Sequence, residues 1–473
     1  MKKERIEIVN YKKIGMYYMF GTLFNQGLSF LAIPFFSRIL STFDYGIINT
    51  YTSWVTITSM VISCALHMGI RASFIDNERN IDDVMSSVTS FTLLNGVVIS
   101  TIVIVANLIF DIGNTLLIFL CLLQALATGL IQNYTMLLMM QYRYRLRTIL
   151  LVVPNVLAVV VSFLLIFFVL KSQLYLGRII PWSVIQTIFG ILTLIYVYTK
   201  STTIWNSKYI KDALTVSVPL VLHGIALNIL SQSDRVMITA LRDASETGIY
   251  SLVYNLGMIA TVITTSLEGV WVPWFTQNLK EGDVNIINKR ANLYTELITL
   301  SMGILILVGP EIIKILADSK YWEGIVAIPP VVLANYLLFI YTLYVNVEHY
   351  YKKTIAITTN TVVVALLNII LNFLFIPHYG YLAAAYTSLF AYFAAFLLHS
   401  THSRKLNSSL FPLKSFVFPF TKLAIIVVLF YLLLDSLVIR WSMAVLLTSY
   451  ELFRYRVDLI PLLPVSVRKL FDK

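Results

Sequence analysis

The chain has 473 residues, 58% of them hydrophobic and 12% charged, and its formal net charge is +11. A soluble domain of this length carries roughly a quarter of its residues as charges, so this composition excludes one. The two cysteines, Cys64 and Cys121, lie inside apolar runs and supply neither a disulfide framework nor a zinc spacing.

Met1 to Lys13 is polar and basic, and an apolar run follows from Ile14 to about Leu40. That run is longer than the roughly 7–15 residues of a signal-peptide core, so it reads as a retained first membrane span. Further apolar runs cover 46–69, 85–110, 115–140, 149–170, 176–198, 213–238, 248–276, 293–317, 325–350, 355–376, 381–400, 415–434 and 437–453. Each approaches or exceeds the ~20 residues that cross a bilayer as a helix. The runs are continuous rather than alternating, which predicts an all-α membrane protein of about 14 transmembrane helices and not a barrel. The gaps between them are too short to hold a soluble domain.

Placing the N-terminus in the cytoplasm puts all but eight of the 35 Lys and Arg on the cytoplasmic side, where both termini then lie. Topology and anionic membrane lipids therefore account for the positive charge, and nucleic acid is not implied as a partner.

An internal repeat is visible. Asp44-Tyr45-Gly46-Ile47 follows the first span and Glu246-Thr247-Gly248-Ile249 follows the seventh, with the glycines 202 positions apart. Leu176-Gly177-Arg178-Ile179 opens the sixth span and Tyr379-Gly380-Tyr381-Leu382 the twelfth, with the glycines 203 apart. Parallel repeats in transporters give this pattern. The expected organisation is an N-terminal six-helix bundle over 1–198, a cytoplasmic linker over 199–212 and a C-terminal six-helix bundle over 213–401. Two additional helices and a tail then fill 402–473.

Ionisable groups at bilayer depth are costly and mark functional or paired sites. Arg38 is in the first span; His223, Asp234 and Arg235 are in the seventh; Glu268 is in the eighth; Glu311 and Lys314 are in the ninth. Glu311 and Lys314 are three apart and share a face, so an internal ion pair is one expectation. Glu268 has no cation near it in sequence and suits a proton relay, with a buried pair to a basic residue on another helix as the alternative, whereas His223 reads as a structural hydrogen-bonded histidine before a proton carrier. Amides at Asn25 and Gln26, at Asn228 and Gln232, and at Asn368 and Asn372 suit either interhelical glue or a cavity wall for hydroxyl-rich cargo. The last two pairs are each four apart and so share a helix face. No Walker loop, HExxH or GxSxG motif occurs, so no catalytic residue, metal or cofactor is assigned.

The segment from Gly21 through Asn25, Gln26 and Pro34 to Ser37-Arg38-Ile39-Leu40 and Asp44-Tyr45-Gly46 resembles the start of Wzx-type polysaccharide-unit flippases. Asp234-Arg235-Val236-Met237-Ile238 and Glu348-His349-Tyr350-Tyr351-Lys352-Lys353-Thr354, followed by Pro377 and Gly380, continue the resemblance in order. These flippases belong to the multidrug/oligosaccharidyl-lipid/polysaccharide (MOP) exporter superfamily. The resemblance implies transport of undecaprenyl-diphosphate-linked oligosaccharide units across a bacterial inner membrane, for O-antigen or capsule synthesis. It also implies alternating access driven by a proton or sodium gradient, and it leaves polysaccharide assembly proteins open as partners. On that reading Arg38, Asn25, Gln26, Asn228, Gln232, Arg235, Lys314, Asn368 and Asn372 are cavity candidates. Asp234, Glu268, Glu311 and His223 are candidates for ion coupling. A lipid II flippase, a drug or cation antiporter of the same superfamily, and a membrane polysaccharide polymerase are the alternatives.

Overall fold

The computed structural model describes residues 24, 27, 28, 30–76 and 80–456. Asn25 and Gln26 therefore lie outside the described residues. Among these there is no strand, and each expected span meets a helix. The chain divides into two units, Met1–Val236 and Met237–Lys473.

In the N-terminal unit, α1 (Phe30–Ile39) leads into α2 (Thr42–Ser63) and α3 (Leu66–Asp76). Four long helices follow: α4 (Ile81–Phe110), α5 (Thr115–Met140), α6 (Tyr144–Phe168) and α7 (Leu174–Lys200). The helix α8 (Ser207–Leu241) belongs to this unit as far as Val236. Its Gln232 side chain accepts from Ser53 of α2 at 3.0 Å. Helix α5 forms the centre. Tyr51 on α2 donates to Gln124 Oε1 at 2.7 Å, Asn133 on α5 to Thr92 on α4 at 3.2 Å, and Ser183 on α7 to the Leu120 carbonyl at 2.9 Å. These bonds satisfy buried polar groups where no water competes. On α4, Leu94, Val97, Val98, Ile102, Val105, Leu108 and Ile109 stay exposed, as a lipid-facing stripe does.

In the C-terminal unit, α9 (Ala244–Tyr254), α10 (Leu256–Glu281) and α11 (Val284–Leu316) precede a 3-10 turn (Ser319–Ala327) and α12 (Ile328–Tyr350). Then come α13 (Thr354–Leu406), α14 (Lys414–Leu432) and α15 (Leu437–Arg454). Segment Ser319–Tyr350 is the innermost, with 83% of its most apolar window buried. Helix α13 is two helices joined at Gly380, whose φ of 61° and ψ of −147° are not helical. They correspond to the eleventh and twelfth spans.

The repeat has a structural counterpart in each unit. Ser41 caps α2, and the Asp44 carboxylate closes a capping box back onto it. The other oxygen of Asp44 accepts from the Tyr175 amide, at the start of α7, at 3.2 Å. In the second unit Asp243 caps α9, and Glu246 Oε2 accepts from the Tyr381 amide at 2.9 Å, just after the break in α13. A side chain at Gly380 would strike that carboxylate, so the repeated glycine is required both by its positive φ and by space.

Candidate functional site

Asn228, Gln232 and Arg235 lie four and three residues apart on α8 and share a face, as their spacing predicts. Gln232 Oε1 accepts from Ser53 Oγ on α2 at 3.0 Å and from Arg235 Nη1 at 3.0 Å. Arg235 also donates to the Ser231 carbonyl at 3.2 Å. Gln232 thus joins α8 to α2, and Arg235 braces Gln232 from the same helix. Asn228 differs. Its amide meets Met60 Sδ at 2.9 Å and its side chain reaches the wall of a cleft.

That cleft has a volume of about 320 Å³ and lies wholly within the N-terminal unit. Helix α2 contributes Thr56, Ser59 and Met60, α3 His67, α6 Arg147 and α8 Asn228. Helix α5 contributes Gln132, Thr135, Met136 and Met139. The hydroxyls of Thr56, Ser59 and Thr135 donate to carbonyls of their own helices, which leaves their lone pairs to accept bonds. His67 Nδ1 is buried and finds no hydrogen-bond partner among the described residues. The lining has one guanidinium and no carboxylate. Amides, hydroxyls and one planar cation are the donor set that binds a polyhydroxyl group next to a phosphate.

Of these wall residues only Asn228 is a sequence candidate. Arg147 is hidden among the basic residues at the start of α6, alongside Arg143 and Arg145. Gln132 and Thr135 carry the same signal as the other intramembrane polar residues.

The remaining candidates are dispersed. Arg38 is exposed, its guanidinium bonded to the Pro34 carbonyl of its own helix at 2.8 Å. Asp234 is buried and His223 half-buried on α8. Glu268 is half-buried and lies in electrostatic range of Tyr341 on α12. Asn368 and Asn372 are buried. The first donates to Ser388 at 3.2 Å and the second to Asn368 at 3.3 Å, and Thr387 donates to Asn372, so the network ties the two halves of α13 together.

The expected Glu311–Lys314 pair is corrected. Glu311 is held by Arg440 of α15 in a two-pronged ion pair of 2.6 and 2.9 Å. Lys314 is exposed and lies over the Trp322 ring at 5.6 Å. The planar guanidinium offers two parallel donors that an ammonium one turn away cannot match. Lys422 of α14 likewise bridges Glu296 of α11 at 2.7 Å and Glu451 of α15 at 2.6 Å. A further buried set, Glu348 with His399 and His402, is not among the sequence candidates at all.

The fold is similar to that of the lipid II flippase MurJ in its inward closed conformation. The TM-score is 0.64 at 16% identity, covering 94% of this chain and 99% of that one. It is also similar to an inward-facing multidrug resistance transporter of the MATE family, in the MOP superfamily. There the TM-score is 0.61 at 14% identity, covering 84% of this chain and 99% of that one. The Lsg locus protein 1 of Haemophilus influenzae is 22% identical over 368 residues, which are 69% of this chain and 84% of that protein. The family described as polysaccharide biosynthesis protein matches residues 12–279. The chain is a multi-pass membrane protein whose fold is like that of these transporters, and it belongs to the polysaccharide biosynthesis protein family.

Proposed function

We propose that this protein is a flippase that carries undecaprenyl-diphosphate-linked oligosaccharide repeat units from the cytoplasmic to the outer leaflet of a bacterial inner membrane. Both termini would be cytoplasmic. The observation that carries this reading is the cleft of the N-terminal unit. Its amides and hydroxyls suit sugar hydroxyls, and Arg147 suits the diphosphate through charge-assisted, two-pronged bonds. The polar repeat unit is the part that a bilayer rejects, so a polar lined route lowers its barrier, while the prenyl tail can remain in lipid. The family assignment to polysaccharide biosynthesis supports the same cargo class. Coupling to a proton or sodium gradient completes the cycle.

The test is the fate of lipid-linked repeat units in cells lacking the gene. Complete single units should accumulate on the cytoplasmic face while surface polysaccharide is lost, and the wild-type gene should restore it where an Arg147→Ala version does not. Units that reach the outer face unpolymerised would overturn the reading in favour of a polymerase. Loss of peptidoglycan precursor transport, with surface polysaccharide intact, would replace the cargo by lipid II.

A further inference from the structure

Glu348 is the third residue from the end of α12 and its side chain is fully buried. Its two oxygens are shared between two imidazoles of α13. Oε2 meets His399 Nδ1 at 2.7 Å, and Oε1 meets His402 Nδ1 at 2.7 Å. His399 is 1% exposed and stacks on Tyr341 at 5.4 Å, whereas His402 is 28% exposed. We propose that Glu348, His399 and His402 form a proton-binding site of the C-terminal unit, with His399 as the buried acceptor and His402 as the arm that exchanges with water.

An ionised carboxylate only accepts, so both imidazoles present Nδ1–H to it and keep Nε2 free to take a proton. The cluster then carries a charge of minus one, zero or plus one as it holds no, one or two added protons, and neither hydrogen bond is lost in any state. A plain structural ion pair needs one cation; a second imidazole, closer to water, adds only a path for the proton. Other charged groups nearby leave that arithmetic intact. His349 on α12 lies in electrostatic range of Glu348 and His399. Arg404 on α13 lies in range of Tyr344, and Glu268 on α10 lies in range of Tyr341. The sequence Glu348-His349-Tyr350 that carries part of the family resemblance thus has a definite chemical role, separate from the cleft of the N-terminal unit.

The test reads protons rather than cargo, so it stands or falls independently of the proposed substrate. The full chain is placed in liposomes and its infrared difference spectrum is recorded between about pH 8 and about pH 5.5, a range that spans imidazole titration. The wild type should show imidazolium bands that disappear in His399→Gln. Glu348→Gln, which keeps an acceptor but removes the anion, should lose them too. After a rapid pH drop, His402→Gln should slow their appearance tenfold or more. Unchanged bands in His399→Gln would overturn the proposal, as would an unchanged rate in His402→Gln. Should a variant fail to insert, nitrogen-15 spectra of ring-labelled wild-type protein decide the matter. A buried imidazolium signal below neutral pH supports the site, and its absence throughout the range refutes it.

Discussion

Arg440 and Glu311 face each other from α15 and α11 through two hydrogen bonds of 2.9 and 2.6 Å, and Arg440 also donates to the carbonyls of Leu307 and Leu433. Arg440 is 1% exposed. With Lys422 between Glu296 and Glu451, this pair ties α14 and α15 to α11.

Removing one partner of that pair leaves a buried charge alone. Arg440→Leu should destabilise the protein by ~3–5 kcal/mol, and the double variant Glu311→Leu with Arg440→Leu should recover most of that loss. Thermal unfolding in detergent measures both. A double variant no better than Arg440→Leu would show that the pair is not the coupled unit described.

Gly380 and Gly282 both have positive φ, 61° and 86°, but differ in surroundings. A methyl at Gly282 meets open space, whereas at Gly380 it meets the Glu246 carboxylate. Gly282→Ala should therefore cost only the ~1–2 kcal/mol of left-handed backbone strain. Gly380→Ala should cost more than that, because Glu246 must also release the Tyr381 amide. The same unfolding measurement ranks the two.

Asp44 serves three bonds at once, to the Ser41 amide, the Ser41 hydroxyl and the Tyr175 amide. Asp44→Ala should lower stability by ~1–2 kcal/mol through loss of the cap, with a further loss from the freed α7 terminus. Asp44→Asn, which keeps an acceptor, should fall between that variant and the wild type.

In the cleft, Arg147→Ala should reduce delivery of repeat units by roughly 10–100-fold, the worth of charge-assisted bonds of ~1.5–3 kcal/mol. Asn228→Ala removes a neutral donor and should cost less, about 3–10-fold. Arg147→Lys keeps the charge without the fork and should lie between. The readout is the amount of polysaccharide at the surface of complemented cells, with protein level held equal.

The helical class and the repeat follow from local sequence pattern alone. Helix formation across a bilayer is a local matter: ~20 apolar residues must satisfy their own backbone, whatever their neighbours are. The matched glycines at Gly46 and Gly248 and at Gly177 and Gly380 were legible for the same reason, since caps and breaks are short-range. What lies opposite a polar side chain is not local. Glu311 sits three residues from Lys314, yet its partner is Arg440, more than a hundred residues on. Asn228 shares a face with Gln232, but only the packing of α2, α5 and α6 makes one a cleft wall and the other glue. Arg147 and Glu348 sit in stretches whose charge has a plain topological or family explanation. The tertiary fold decided their roles, by choosing which side chains share low-dielectric space, where an unmet charge costs the most.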